Sequence, residues 1–533
     1  MKNSIRMANV PVPLTLPLLV QHAAKRDPER VAIRDGEIVI RYRELEQIRR
    51  RVARAVMAAG IAKGDRVAIW APNIAEWITA AIGLQSAGAI LVPLNNRWQG
   101  SEAADVLRRS GVRLLFTYPQ LEKGSPLAML AGEDLPALER RVLLRGEDAA
   151  AQSWSDFLAA AETVSEADAA AREAGIKPTD AVDMLFTSGT TGRPKGVLSS
   201  HEQNIRAFSA WSDTVDLRAD DNYMIINPFF HSFGYKAGWL AALIKGCTIL
   251  PVISFDKEKV FAQIERDRVT MLPGAPSLYE MLLADPLRER YDLSSLRLGV
   301  TGAASVPVQL VRDMRDILGF QTVVTAYGLT ESTGVVTVCR PDDDPEVVAN
   351  TSGRAIPGVE LQCVDPATGA VVAPGQEGEI WVRGYNVMQG YFEDPVATAE
   401  AITEDGWLRT GDIGVIDERG YLTITDRLKD MYIMNGENVY PAEIEKTLYE
   451  LAGVAQAAVI GVPRQPQGEV GMAFIVTRPG SNLDEAAVKA HCAARLARYK
   501  QPFFIRFVDG LPMNAAGKVV KPELRKLAQD LLP

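Results

Sequence analysis

Short β-rich runs alternate with amphipathic segments through much of residues 1–325, and this alternation limits the chain to a small set of folds. RVAIWAP (66–72) is typical of a buried strand, AEWITAAIGLQSAG (75–88) of a helix and AILVPLN (89–95) of the next strand. A second series of the same kind spans residues 222–325. Strands that alternate with helices favour βαβ units and a mainly parallel sheet. The sequence therefore predicts an α/β fold.

At 533 residues the chain is too long for one hydrophobic core, and the pattern of predicted strands and helices changes twice along it. From about residue 350, short strands with frequent Gly and Pro indicate a small β-rich subdomain over about 350–426. After Asp426 a helix, strands and a final basic helix predict a separate α+β domain. We therefore expect a large N-terminal domain over 1–426, with two βα-layered sheets and the β-rich subdomain, and a small α+β domain over 427–533.

The charge balance and the cysteines exclude several classes of function. Acidic residues outnumber basic ones, 67 against 58, and no strong basic cluster stands out, so no nucleic-acid partner is expected. The four cysteines lack CxxC spacing, which argues against a disulfide framework or a zinc site and favours a reducing compartment. No uninterrupted apolar run of about 20 residues is present. We expect no integral membrane association and a cytoplasmic location; the oligomeric state is open, and a homodimer is one possibility.

Residues 186–197 read FTSGTTGRPKGV, a loop whose chemistry suits phosphate. Its glycines let backbone N–H groups turn toward an anion, its hydroxyls add donors, and its lysine adds a point charge. The residues concerned are Thr187, Ser188, Gly189, Thr190, Thr191, Gly192, Lys195 and Gly196. The spacing differs from GxxxxGK[ST], because Lys195 lies three residues after Gly192, so a P-loop NTPase is not indicated. The alternative is a solvated turn rich in small residues.

The same loop resembles the nucleotide-phosphate signature of the adenylate-forming superfamily, which contains acyl-CoA synthetases, luciferases and the adenylation domains of peptide synthetases. Further motifs follow in the family's order over nearly all of the chain: VTGAAS (300–305), TAYGLTES (325–332), GWLRTGD (406–412), TDRLKD (425–430) and LPMNAAGKVVK (511–521). The resemblance implies that the protein uses ATP, Mg²⁺ and, as cosubstrate, CoA.

The resemblance also implies a role for individual residues of these motifs. Tyr327 would lie against the adenine, Thr330 near the α-phosphate and Glu331 on Mg²⁺. Asp412 would bind the ribose hydroxyls and Arg427 nucleotide oxygens. The implied ATP and AMP contacts are Thr187, Ser188, Gly189, Thr190, Thr191, Gly192, Lys195, Gly302, Ala303, Ala304, Tyr327, Gly328, Thr330, Asp412 and Arg427, with Thr187 and Glu331 as metal ligands. Taken alone, Glu331 would be interpreted as a solvated residue and Asp412 as a turn residue.

Lys518, near the end of the chain, matches the family's catalytic lysine. An ammonium there would stabilise charge on the carboxylate and the α-phosphate. The resemblance implies that the C-terminal domain is mobile and rotates between two half-reactions about a hinge at Lys429. Gly436 and Glu437, in MNGENVYPAEIE (434–445), would then contact CoA. Without the resemblance, Lys518 would be a surface residue and 434–445 a turn before a helix.

An acyl pocket is expected around NPFFHSFGYKAGW (227–239). His231 takes the family's gate position near the carboxylate and is expected, with Lys518 and Glu331, to be catalytic. The alternative is a histidine that packs at a strand end. The expected pocket residues are Phe230, His231, Phe233, Gly234 and Tyr235, with Phe229 as a further aromatic wall.

Tyr235 and Lys236 are more polar than a purely aliphatic acid requires. We expect them to meet a keto or carboxyl group of a medium-chain, alicyclic or steroid-derived acid; the alternative is that Lys236 extends from a helix to solvent. The stretch FFHSFGYKAG resembles the family branch that includes ligases of steroid-ring degradation, which take a bicyclic propanoate.

An ATP-dependent acyl-CoA ligase is the expected activity, because GENVYPAEIE and the stand-alone length look most like an acyl-CoA synthetase. It would form an acyl-AMP with release of pyrophosphate and then transfer the acyl group to CoA. The alternatives are delivery to a carrier protein, a luciferase, and a sensor of nucleotide or acyl groups without catalysis. Joint retention of Lys195, Glu331, Asp412 and Lys518 argues against the sensor.

Overall fold

The computed structural model describes residues 12–187, 194–302, 306–427, 430–434, 437–464, 467–496, 498–513 and 519–531. Its strands are β1 Val31–Asp35, β2 Ile38–Arg41, β3 Arg66–Trp70, β4 Ile90–Pro93, β5 Leu114–Thr117, β6 Arg140–Leu143, β7 Gln152–Ser153, β8 Ala181–Thr187, β9 Lys195–Ser200, β10 Asn222–Ile225, β11 Thr248–Pro251, β12 Met271–Pro273, β13 Leu298–Gly302, β14 Thr322–Tyr327, β15 Thr337–Val338, β16 Arg354–Ala355, β17 Val359–Val364, β18 Glu377–Gly384, β19 Gly390–Tyr391, β20 Leu408–Ile416, β21 Leu422–Arg427, β22 Tyr432–Met434, β23 Glu437–Val439, β24 Val454–Arg464, β25 Gly468–Thr477 and β26 Phe504–Phe507.

The helices of the described ranges are α1 Leu16–Arg26, α2 Tyr42–Ala58, α3 Ala75–Ser86, α4 Gly100–Ser110, α5 Pro126–Met129, α6 Trp154–Ala159, α7 Glu166–Ala174, α8 His201–Thr214, α9 Ser232–Gly234, α10 Ala241–Lys245, α11 Lys257–Asp267, α12 Pro276–Ala284, α13 Val308–Asp316, α14 Pro345–Asn350, α15 Pro395–Ala401, α16 Pro441–Tyr449, α17 Glu485–Ala493 and α18 Lys521–Leu531. A π-helical turn, Tyr235–Leu240, separates α9 from α10. Short 3₁₀ turns are formed by Ala160–Thr163, Pro286–Arg290, Thr330–Ser332 and Arg498–Lys500.

Two large sheets dominate the N-terminal part of the described chain. One has the order β19-β9-β8-β4-β3-β5-β6-β7 and the other β16-β15-β14-β13-β12-β10-β11-β1-β2. Their central pairs, such as β3 with β4 and β13 with β14, are parallel. Helix α3 is buried at every position except Glu76, as expected of a helix that is apolar all round. The predicted βαβ organisation is therefore confirmed.

Two smaller sheets complete the fold. The antiparallel order β17-β18-β20-β21 forms the β-rich subdomain, and β23-β22-β25-β24, with β26 beside β25, forms the C-terminal sheet. Apolar clusters lie on both faces of the C-terminal sheet, beneath α16 and α17 on one side and α18 on the other. The α/β fold class with its β-rich subdomain and small α+β part is confirmed, whereas the division at 426/427 stays a prediction.

All four cysteines are buried and free: Cys247, Cys339, Cys363 and Cys492. Burial raises the pKa of each thiol, to about 11 for Cys363 and Cys492. Among the described residues, no helix combines the length and the apolar character that crossing a membrane requires.

Candidate active site

The antiparallel hairpin β8–β9 leads into and out of the predicted phosphate loop. Thr187, the last residue of β8, pairs with Lys195, the first residue of β9. The Arg109 side chain donates to the Pro194 carbonyl oxygen at 2.8 Å and lies over the Phe186 ring, so α4 holds the two ends of the loop. The hairpin thus places Thr187 and Lys195 next to each other, at the end of the two strands that borders the loop.

Tyr391 connects two predicted site residues that are far apart in sequence. Its hydroxyl donates to Glu331 Oε1 at 3.0 Å, and Lys195 Nζ lies 4.9 Å from the centre of its ring. Strand β19, which carries Tyr391, pairs with β9 of the hairpin, and Met388 N donates to the Glu331 carbonyl oxygen at 2.8 Å. Sequence reasoning missed Tyr391, because GYF offers no motif of its own. The structure therefore brings Lys195 and Glu331 to one place.

A second pair of predicted residues meets between the large sheet and the β-rich subdomain. The Tyr327 hydroxyl donates to Asp412 Oδ2 at 2.6 Å, and only 7% of Asp412 is exposed. Gly411 precedes Asp412 in the left-handed region at φ +70°, and its N–H donates to Glu379 Oε1 at 3.0 Å. The Tyr327 hydroxyl therefore helps to fix the direction of the Asp412 carboxylate.

The carboxyl ends of β13 and β14 lie side by side, with Gly302 opposite Ala326. Ligands of open α/β sheets bind at such ends. A Cβ on Gly302 would lie 2.9 Å from the Ala326 carbonyl oxygen, and one on Gly328 would lie 2.4 Å from the Gly334 carbonyl oxygen. Glycine is therefore required at both positions by close backbone packing. Thr330 and Glu331 follow directly in a 3₁₀ turn.

His231 precedes α9 and caps it, because its Nδ1 accepts the Phe233 N–H at 3.2 Å. In the neutral ring this contact leaves the proton on Nε2. Gly234 is required by packing, since a Cβ there would lie 2.3 Å from the carbonyl oxygens of Asn227 and Pro228. Phe230 and Phe233 are half-buried, as pocket walls would be.

The expected roles of Tyr235, Lys236 and Phe229 in the acyl pocket are wrong. The Tyr235 ring is 1% exposed and stacks on Trp239 with centroids 4.6 Å apart, and its hydroxyl accepts from Gln85 Nε2 at 2.8 Å. Lys236 reaches neither substrate space nor solvent, because its side chain is 0% exposed and paired with Asp183. Phe229, 1% exposed, packs edge-on against Trp77 in the core. Alternation of polar and aromatic letters after His231 could not distinguish pocket from core.

Several predicted residues lie outside the described parts of the chain. They are Ser188, Gly189, Thr190, Thr191, Gly192, Ala303, Ala304, Lys429, Gly436 and Lys518. The backbone of Arg427 pairs with that of Asp412, and Glu437 pairs with Met434, but their side chains also fall outside the description. Their roles stay predictions.

The oxygen donors at the site suit Mg²⁺. The Glu331 carboxylate is held in place by Tyr391, and a hydroxyl is available from Thr187, which lies directly across the hairpin from Lys195. Mg²⁺ prefers one or two such oxygen donors, completed by phosphate oxygens and water.

Comparison with known proteins agrees with this arrangement. The sequence model described as AMP-binding enzyme matches residues 20–392, and that described as AMP-binding enzyme C-terminal domain matches residues 443–518. The chain belongs to the AMP-binding enzyme family. Within it, this AMP-binding enzyme is an acid–thiol ligase of the acyl-CoA synthetase type that uses ATP, Mg²⁺ and CoA.

Two relatives of this AMP-binding enzyme carry the same name, 3-[(3aS,4S,7aS)-7a-methyl-1,5-dioxo-octahydro-1H-inden-4-yl]propanoyl:CoA ligase. The protein of Rhodococcus jostii (strain RHA1) is 48% identical over 96% of this chain and 99% of its own length. The protein of Mycobacterium tuberculosis (strain ATCC 25618 / H37Rv) is also 48% identical, over the same shares. Among solved structures, ATP-bound MatB from Rhodopseudomonas palustris is 31% identical with a TM-score of 0.86, over 97% of this chain and 99% of that chain.

Proposed function

We propose that this AMP-binding enzyme is the CoA ligase of a bicyclic, ketone-bearing propanoate, an alicyclic acid of the kind derived from a steroid ring system. The 48% identity to two ligases named for such a propanoate, over nearly the full length of all three chains, carries the proposal. The half-buried Phe230 and Phe233 near His231 are consistent with a pocket for an alicyclic ring. A medium-chain acid is the second candidate substrate.

The first half-reaction joins the acid to ATP. A carboxylate oxygen attacks the α-phosphorus, the bond from that phosphorus to the bridging oxygen breaks, and pyrophosphate leaves with the electron pair. His231 Nε2–H orients the carboxylate, and Lys195 neutralises charge on the phosphate oxygens. Bound Mg²⁺, held by Glu331 and Thr187, would supply electrostatic stabilisation of the leaving pyrophosphate. Asp412, oriented by Tyr327, binds the ribose hydroxyls. Lys518 acts on the same transition state.

The second half-reaction transfers the acyl group to CoA. The CoA thiolate attacks the acyl carbonyl carbon, the bond from that carbon to the AMP oxygen breaks, and AMP leaves. We propose that the C-terminal domain, residues 427–533, turns about Lys429 between the two steps and brings Gly436 and Glu437 to the thiol. Arg427 contacts nucleotide oxygens beside this hinge.

Pyrophosphate release with a panel of acids tests the proposal. The panel contains short, medium and long fatty acids, aryl acids and alicyclic propanoates with and without ring ketones, each assayed with and without CoA. We expect the ketone-bearing bicyclic propanoate to give the highest kcat/KM, with AMP and the thioester formed only when CoA is present. Lys518→Ala should abolish release, and Lys526→Ala, an exposed lysine of α18, is the matched control.

Two other outcomes would redirect the proposal. Acid-dependent release without turnover by CoA would indicate a carrier protein as acceptor, and binding of AMP without release from any acid would indicate a sensor. A cytoplasmic location and a homodimer are part of the proposal and are tested by fractionation and by light scattering.

A further inference from the structure

Lys236 is a buried cation that the mechanism above does not use. It lies in the π-helical turn Tyr235–Leu240, five positions after His231, and its side chain is 0% exposed. Single π-helical turns are frequent at functional sites, where they redirect side chains. Here the Lys236 side chain reaches the hairpin formed by β8 and β9.

The partners of Lys236 belong to the hairpin that carries the phosphate loop. Its Nζ lies 3.2 Å from Asp183 Oδ1 and donates to Ser199 Oγ at 3.1 Å. Asp183 is in β8 and Ser199 is in β9, and the two residues face each other in the hairpin register. The Lys236 ammonium therefore contacts both strands of the hairpin that carries the phosphate loop.

Asp183 is itself the centre of a buried polar cluster. Asn204 of α8 donates to Asp183 Oδ2, and the pKa of Tyr235 is raised by burial and by the Asp183 charge beside it. Gln85 of α3 donates in turn to the Tyr235 hydroxyl at 2.8 Å. The cluster thus joins β8, β9, α8 and α3 to the segment that follows His231.

The two segments that the cluster joins, the hairpin β8–β9 and the segment after His231, are each proposed to bind a different substrate. Asp183 is four residues before Thr187, roughly 13 Å along an extended strand from the start of the phosphate loop. Lys236 follows His231 and Phe233, which the proposed function places beside the acid. Adenylation requires a carboxylate oxygen and the α-phosphorus, which are held by these two separate elements, to meet at about 3 Å.

We propose that Lys236 is a positioning residue that fixes the phosphate hairpin against the acyl-binding segment, through Asp183 and Ser199. The inference rests on the proposed function, and it predicts that adenylation and thioester formation depend differently on Lys236. Formation of acyl-AMP depends on the relative placement of two separate substrates. Acyl-AMP is one covalent molecule, so its reaction with CoA no longer depends on that placement.

The test compares the two half-reactions in the full-length protein. Pyrophosphate release reports adenylation, and thioester formed from supplied acyl-adenylate and CoA reports the second step. The principal variant is the double substitution Asp183→Asn with Lys236→Met, which removes both charges and so leaves neither one buried without a partner. We expect adenylation to fall about 10- to 100-fold because the reacting atoms are misplaced. The rate of the second step and the melting temperature should stay close to those of the unsubstituted protein.

Arg49→Met is the matched control. Arg49 is also 0% exposed and is paired with Glu46 and Glu173, both at 2.7 Å, in α2 and α7 rather than in the hairpin or the acyl segment. It should lower the melting temperature and leave the ratio of the two half-reaction rates unchanged. An equal loss in both half-reactions, or full adenylation by the double variant, would overturn the proposal.

Ser199→Ala keeps the ion pair and removes one hydrogen bond, so it serves if the double variant does not fold. It should reduce adenylation selectively by about three- to tenfold; an unchanged ratio of the two rates would again overturn the proposal. Absence of pyrophosphate release from the unsubstituted protein would instead contradict the proposed function, which keeps the two failures distinct.

Discussion

At the scale of single residues, the site depends on side chains that orient other side chains. Tyr327 holds Asp412, and Tyr391 holds Glu331 while its ring lies against Lys195. Burial, followed by the Glu331 charge, raises the pKa of Tyr391, so its hydroxyl remains a donor throughout the physiological range. The residues proposed to bind the nucleotide are therefore supported by tyrosines whose loss can be measured separately.

Tyr327→Phe removes the hydroxyl that directs Asp412. Hydrogen bonds to charged groups contribute about 1.5–3 kcal/mol, so we expect KM for ATP to rise about tenfold while kcat changes little. Initial rates over a series of ATP concentrations check this. Tyr385→Phe, which removes a hydrogen bond to the Pro357 carbonyl oxygen, is the control. An unchanged KM would show that the pair does not act on the nucleotide.

Glu331→Gln keeps the shape of the side chain and removes its charge. We expect pyrophosphate release to fall about 100-fold or more, because the carboxylate proposed to hold the metal is lost. The Mg²⁺ concentration for half-maximal rate should rise as well, which a titration at fixed ATP measures. Glu346→Gln, on α14 and paired with Arg312, should behave like the unsubstituted protein. Normal Mg²⁺ dependence in Glu331→Gln would contradict the assignment.

Sequence reasoning found the residues with a recognisable motif and missed those that support them. Glu331 and Asp412 stand in motifs, whereas Tyr391 contacts Glu331 from 60 positions away and has no such signal. Lys236 shows the opposite error. Its polarity was visible in the sequence, but the π-helical turn that points it at Asp183 is a tertiary effect that no local pattern encodes.

At the scale of elements, glycines and one histidine fix how segments approach each other. Gly328 allows the chain after β14 to pass close to Gly334. His201 begins α8, is 2% exposed, and accepts the Leu16 N–H at its Nδ1, which ties α1 to α8. The hydrophobic pattern predicted the parallel sheets, because each buried strand and helix carries its own signal; these inter-element contacts carry none.

Gly328→Ala should be poorly tolerated. Its Cβ would lie 2.4 Å from a backbone oxygen, so β14 or the 334–335 segment must move. We expect a lower melting temperature together with adenylation reduced about 10-fold or more, since Tyr327 and Thr330 flank the displaced position. Gly510→Ala has open space around it and is the control. Equal activity of the two variants would contradict the role of this close approach.

His201 makes stability depend on pH. Burial lowers its pKa from 6.5 to about 4, so the folded chain holds it neutral while the unfolded chain protonates it below 6.5. The stabilisation, up to about 3 kcal/mol, is complete above pH 6.5 and is lost as the pH falls toward 4.

Melting temperatures at pH 7.5 and pH 5 check this expectation. His201→Asn keeps an acceptor for the Leu16 N–H but does not titrate, so its difference between the two pH values should be smaller. An equal difference in both proteins would assign the acid sensitivity to other groups.

At the scale of the whole molecule, a hydrogen bond between the β-rich subdomain and the C-terminal part bears on domain movement. Asp426 of β21 accepts the Ala442 N–H at 2.9 Å, in the first turn of α16, where Tyr440 supplies no cap of its own. A carboxylate at this end of α16 also interacts favourably with the positive end of the helix dipole. If the C-terminal domain turns about Lys429, this cap must break and form again in each cycle.

Asp426→Ala should loosen α16 without unfolding the chain. A lost cap costs about 1 kcal/mol, so amide exchange in 441–449 should quicken about fivefold in hydrogen-exchange measurements. Asp484→Ala removes the cap of α17 and should affect only 485–493. Unchanged amide exchange in 441–449 would show that the Asp426 cap does not stabilise α16.

The four buried cysteines have a consequence for fidelity. An acyl-adenylate is a mixed anhydride that acylates any available thiolate, and Cys247, Cys339, Cys363 and Cys492 are all sequestered with raised pKa values. The thiolate is the nucleophilic form of cysteine, so these side chains do not compete for the activated acyl group. Among thiols, that of bound CoA is then the acceptor that reacts with the acyl-adenylate.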